Sequence, residues 1–126
     1  ATAGAAKAVG KVIPALKGKV TGNSYRVPVI DGSVVDLTVQ LKDKASLVTV
    51  LARLSYHANR NLWGVLDVSD QDLVSVDVIG NTHSSIVDAK SCIELEPGFL
   101  KIVSWYDNEW GYSARMIDTI TLMMRG

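Results

Sequence analysis

The chain has 126 residues, 48% hydrophobic and 21% charged, with 13 lysines and arginines against 13 aspartates and glutamates. That is one domain, long enough to bury a core and too apolar to stay disordered. The balanced charge removes the electrostatic case for partners such as nucleic acid or an anionic membrane, and neither is expected.

No apolar run approaches the roughly 18 residues of a membrane helix, and no charged-then-apolar signal segment opens the chain. The sequence reads as soluble and intracellular, with a cytoplasmic setting. A single cysteine, Cys92, forms no internal disulfide, in keeping with a reducing compartment. The first residue is Ala1 rather than methionine, which fits either removal of an initiator or excision from something longer.

Taken in order, the chain opens with a short helix from Gly4 to Val12, with Thr2 or Ala3 near its start and Pro14 limiting it. Its small residues leave N-terminal N–H groups accessible, for an anion or simply for packing. Tyr25, Val27 and Val29 then alternate with polar positions, Asp31-Gly32 supplies turn chemistry, and Val35, Leu37, Val39 and Leu41 alternate again. This pattern predicts a β-hairpin. Arg26 falls on its polar row, placed either to capture phosphate or carboxylate with a rigid planar fork or to bridge to Asp36 on the surface.

Leu47, Val50, Leu51, Leu54 and Ala58 predict a helix over 45–58, although the β-branched run Val48-Thr49-Val50 also suits a strand. Trp63 to Leu66 reads as a short extended segment, and Leu73 to Ile79 as a strand with Val74, Val76 and Val78 on one face. His83, Ser84, Ser85 and Asp88 lie too close together in sequence to aim at one another as a hydrolase triad. Two histidines without a spaced partner offer no metal site, so no metal is assigned. Cys92, Ile93 and Leu95 form a further strand, in which Cys92 is a buried structural thiol. Pro97-Gly98 turns the chain into a strand over 99–106.

The densest local signal comes last. Phe99 to Tyr106 alternates at period two, and Tyr112, Met116, Ile117, Ile120, Met123 and Met124 then recur at helical steps. Asp107 is the N-cap between strand and helix. Asn108 and Glu109 therefore sit at a sheet edge beside unpaired N–H groups, a place for a ligand and equally an ordinary joint. About six strands and three helices predict an α+β fold, a mainly antiparallel or mixed sheet with its helices on one face.

Three stretches in this order, Gly4-Ala5-Ala6-Lys7-Ala8-Val9-Gly10-Lys11-Val12-Ile13-Pro14, Arg26-Val27-Pro28 leading to Ser33-Val34-Val35-Asp36-Leu37-Thr38, and Ser104 to Ser113, resemble the phosphorylating glyceraldehyde-3-phosphate dehydrogenase family. The resemblance is to the C-terminal portion of the catalytic domain and makes residues 1–126 a single, truncated domain of that kind. It implies a parent enzyme that oxidises an aldehyde phosphate through a cysteine thiohemiacetal, with NAD or NADP taking the hydride and inorganic phosphate taking the acyl group.

Arg26 matches the family's phosphate-binding arginine, and Gly4 lies in its threonine-glycine phosphate loop. Position 3 is Ala3 where the family has threonine, so Thr2 is the hydroxyl left for that role. Asn108 matches the asparagine that holds the nicotinamide carboxamide, and Tyr112 the tyrosine near that ring. The family's nucleophilic cysteine and histidine base match neither Cys92 nor His83 nor His57. The resemblance thus assigns no catalytic residue, implies an isolated chain without activity or bound cofactor, and implies a homo-oligomer or association with the remaining portion. The other reading is a non-catalytic or engineered scaffold that self-associates.

Overall fold

The computed structural model describes residues 4–125, with the side chains of residues 5–7 left aside. Three helices, α1 (Gly4–Val12), α2 (Leu47–Ala58) and α3 (Asn108–Arg125), accompany five strands, β1 (Ser33–Gln40), β2 (Leu66–Ser69), β3 (Ser85–Asp88), β4 (Ile93–Glu96) and β5 (Phe99–Tyr106). The strands form one mixed sheet in the order β1-β5-β3-β2, and β4 also pairs with β5. The α+β class holds, with five strands in place of about six. Among the described residues no helix is long and apolar enough to cross a membrane.

β5 organises the sheet. One edge pairs with β1 along its whole length, from Ser33 opposite Tyr106 to Gln40 opposite Phe99. The other is shared, β4 taking its first half and β3 pairing through Ile86–Trp105 and Val87–Ser104. Leu100, fully buried, sits on this central strand. The parallel β2–β3 pair continues the sheet. Ala58, Leu66, Val87 and Cys92 form the core against α2, whose Leu47, Leu51 and Leu54 pack onto it.

The β-branched run in α2 does not make it a strand, because the helix start is specified locally. Ser46 Oγ accepts the Thr49 N–H (3.3 Å), and Glu94 accepts the Leu47 N–H (2.8 Å). A helix whose orphan donors are satisfied in this way tolerates a few tenths of a kcal/mol per residue of poorer propensity.

The predicted hairpin is not formed. Residues 24–30 are irregular, with Tyr25, Val27 and Val29 exposed. Pro28 has no N–H to give to a ladder, and the Val29 N–H donates locally to the Val27 carbonyl (2.9 Å). The second arm is a strand but takes β5 as its partner, and Asp36 pairs with Lys101 (2.8 Å), not with Arg26.

Two further expectations change. Residues 60–65 are turns, so the strand begins at Leu66, where 63–66 had been expected. Leu73 to Ile79 is not a strand: Ser75–Val78 is a tight 3-10 turn, set by the Asp77 carboxylate accepting the Val74 N–H (2.8 Å). Of the three valines expected on one face, only Val78 is buried. β3, Ser85–Asp88, is a strand the alternation did not reveal.

Candidate functional site

The junction of β5 and α3 is built around Asp107, which is wholly buried. Its Oδ1 accepts the N–H groups of Glu109 (2.9 Å) and Trp110 (2.7 Å), the N-cap arrangement expected from sequence. Its Oδ2 accepts the Gly80 N–H (2.8 Å), tying the helix start to the turn after Ser75–Val78. Burial pushes this carboxyl up. The bonds from Trp110, Gly80, the Asp31 side chain and Glu109 oppose burial and prevail, holding its pKa below the ordinary 3.8.

α3 can lie this close because Gly111 has no side chain: a Cβ there would stand 3.2 Å from the His83 carbonyl oxygen. Arg115, one turn on, donates from Nη1 to the Thr82 carbonyl (3.3 Å) and to Ser84 Oγ (3.1 Å). The first two turns of α3 are therefore fixed against 80–84. From this fixed start Asn108 and Tyr112 project outward, both exposed. They are four residues apart on one helix face, so an amide with donor and acceptor sits beside an aromatic ring.

The model of the family described as glyceraldehyde 3-phosphate dehydrogenase, C-terminal domain, matches residues 1–108. The chain belongs to that family. It is 59% identical over 115 residues to glyceraldehyde-3-phosphate dehydrogenase B of Aspergillus oryzae, covering 91% of this chain and 34% of that protein. It is 54% identical over 120 residues to the cytosolic glyceraldehyde-3-phosphate dehydrogenase of Nicotiana tabacum (95% of this chain, 37% of that one). Cytosolic glyceraldehyde-3-phosphate dehydrogenase 3 of Oryza sativa subsp. japonica is 56% identical over 120 residues (95% and 36%). The chain thus spans about a third of the length of the relatives it matches.

Within this family member, the residues assigned to a site fall into separate groups. Asn108 and Tyr112 share the α3 face. Arg26 lies exposed in the irregular segment before β1, and Gly4 is exposed at the start of α1. Among the described residues, no hydrogen bond or ion pair joins Arg26 or Gly4 to Asn108 or Tyr112. Thr2 lies outside the described residues.

The pattern Thr82-His83-Ser84-Ser85…Asp88 forms no triad. His83 Nδ1 bonds Asn81, Ser84 bonds Arg115, Ser85 bonds Ser104, and Asp88 takes Ser91 and Trp105. Cys92 is buried, with Sγ 3.1 Å from the Asp88 carbonyl oxygen, and burial together with the nearby Asp88 charge pushes the thiol up although a bond from the Val103 N–H opposes this. Its burial agrees with its apolar sequence context.

Two features were missed from sequence. Arg115 as the clamp of α3 has no local signature. The carboxylates of Asp31, Asp107 and Glu109 lie within 4.8 Å of one another, and only the β1–β5 register, with Ser33 opposite Tyr106, brings Asp31 to that place.

Proposed function

We propose that this chain is the part of a cytoplasmic, NAD- or NADP-dependent aldehyde-phosphate dehydrogenase that contacts the substrate phosphates and the nicotinamide, and that the reacting cysteine and histidine are not among its residues. The observation that carries this reading is the Asp107-locked start of α3, which holds Asn108 and Tyr112 exposed side by side. The Asn108 amide both donates and accepts, which fits a carboxamide, and the Tyr112 ring one turn along fits the edge of a planar heterocycle. Nicotinamide, when bound, supplies the hydride acceptor. Arg26, Gly4 and Thr2 are the proposed phosphate contacts, and the exposure of Arg26, with no ion pair among the described residues, leaves its guanidinium fork available. Relatives from Nicotiana tabacum and Antirrhinum majus are named cytosolic, which supports the compartment.

Incubated with glyceraldehyde-3-phosphate, NAD and inorganic phosphate, the isolated chain is expected to give no NADH above background, unchanged by Cys92→Ser. The chain's one thiol is buried and its pKa raised, so the thiolate such chemistry needs is scarce. Turnover abolished by Cys92→Ser would overthrow the assignment of Cys92 as structural. In the same experiment, NAD at millimolar concentration should shift the amide resonances of Asn108 and Tyr112, and phosphate that of Arg26; shifts elsewhere alone would remove the site assignment.

A specific observation also favours the self-associating scaffold as a second reading. α3 carries Met116, Ile117, Ile120, Met123 and Met124 exposed, and β1 ends the sheet order of the described residues, paired with β5. Apolar surface of this kind, beside an edge strand, favours association. On this reading, light scattering at micromolar concentration gives a dimer or larger species that Ile117→Glu with Ile120→Glu converts to monomer. A monomeric parent chain counts against it.

A further inference from the structure

A cavity of about 330 Å³ lies between the end of α2, the turn at Trp63-Gly64, β2 and His83. Its floor includes Ala58 and Leu66, both buried. Of the polar groups around it, His83, Asn59 and Asp67 each offer an acceptor, beside the Ser55 hydroxyl and the Trp63 indole N–H, which can donate. The His83 backbone N–H donates to Asn81 Oδ1 (2.9 Å), which fixes that atom as the oxygen; ring Nδ1, 2.8 Å from the same oxygen, therefore carries a proton, and in the neutral ring Nε2 is an acceptor. Asn59 spends its Nδ2 on the Ser55 carbonyl (2.8 Å), leaving Oδ1 open. One oxygen of Asp67 takes the Val68 N–H (2.8 Å), and the second remains.

Beside these acceptors stands Trp63, a residue 77% exposed although its side chain is the largest of all. Among the described residues no lysine or arginine lines the cavity, and neighbouring Arg60 is placed 4.7 Å over the Tyr56 ring instead. A negative charge, several acceptors and an exposed indole face together disfavour phosphate and select a planar, donor-rich cation. A guanidinium matches better than an ammonium, because its flat fork can lie on the indole while its N–H groups reach Asp67.

We propose that this cavity binds a guanidinium group, carried either by a free small molecule or by an arginine side chain. The site is separate from Asn108 and Tyr112 and does not depend on the function proposed above.

The test is an NMR titration of the labelled 126-residue chain with methylguanidinium and, separately, with a blocked Gly-Arg-Gly peptide. Saturable shifts are expected at the Trp63 indole N–H, Gly64 and His83, with Kd on the order of 1 mM for a ligand of so few atoms. A peptide that binds several-fold tighter than methylguanidinium identifies the side-chain source, and the reverse order identifies the small molecule. The matched Gly-citrulline-Gly peptide and inorganic phosphate should leave these signals in place. Asp67→Asn should weaken binding about tenfold by removing the charge from the bond. Trp63→Ala, at an exposed position, provides the same test should the first variant not fold. Absence of saturable shifts, equal shifts with the citrulline peptide, or unchanged affinity in the folded variants overturns the proposal.

Discussion

Asp107→Ala is expected to lower the melting temperature at pH 7 by on the order of 10 °C, corresponding to about 3 kcal/mol for a domain of this size. Two losses add. Removing an N-cap costs about 0.5–2 kcal/mol. Losing a charged acceptor from the Gly80 N–H, in the partly buried turn that α3 packs against, costs about 1.5–3 kcal/mol. Asp107→Asn should cost less, since an amide oxygen still accepts from Glu109 and Trp110.

The pH dependence has a definite sign. The folded-state pKa of Asp107 lies below its ordinary 3.8, so its contribution is present above that value and is lost as pH falls through the folded pKa. The gap in melting temperature between the parent and Asp107→Asn should therefore be widest near neutrality and close in strong acid. Thermal unfolding followed by circular dichroism from pH 7 to pH 2 measures it. A gap independent of pH would show that the ionised carboxylate contributes nothing beyond its shape. The same variants bear on the proposed nicotinamide contact, because fraying of the first turn releases Asn108 from the geometry on which that proposal rests.

The β5–α3 joint was legible because its determinants are local: a period of two, a capping aspartate, then a period of 3.6. The segments that misled are those where alternation occurred without a partner strand. Tyr25 to Val29 alternates as well as β1 does, yet Pro28 and the local Val27–Val29 bond leave it without a ladder. Leu73 to Ile79 alternates too, and there a single side-chain bond from Asp77 outweighs the pattern. Pairing is a property of two segments: β1 and β5 were each legible as strands, while their pairing across some 65 residues, by the register of Ser33 with Tyr106 and Gln40 with Phe99, was not. The site shows the same division. Asp107 and Asn108 followed from neighbours in sequence, whereas Asp31 beside Asp107 and Arg115 against 82–84 exist only once the sheet is assembled.

Gly98→Ala should destabilise the chain by about 3 kcal/mol, whereas Gly64→Ala should cost about 1 kcal/mol, a comparison that isolates one backbone contact. Both glycines have left-handed backbones, φ 82° at Gly98 and 72° at Gly64, so both substitutions incur the strain of an L residue there. They differ in their surroundings. A Cβ on Gly64 meets nothing within 4 Å, while one on Gly98 would stand 2.6 Å from the Cα of Lys44. That obstruction is backbone, and Lys44 is itself held at φ 46°, so neither side can move cheaply. The Gly98 carbonyl also accepts the Leu41 N–H (2.7 Å), which joins the end of β1 to the β4–β5 turn. Forcing the two backbones apart strains that bond and the adjacent Gln40–Phe99 pair of the β1–β5 ladder. Urea unfolding should place the Gly98→Ala midpoint well below that of Gly64→Ala. Equal midpoints would mean that left-handed strain is the whole cost and that the close approach of Lys44 is not what requires glycine at this turn.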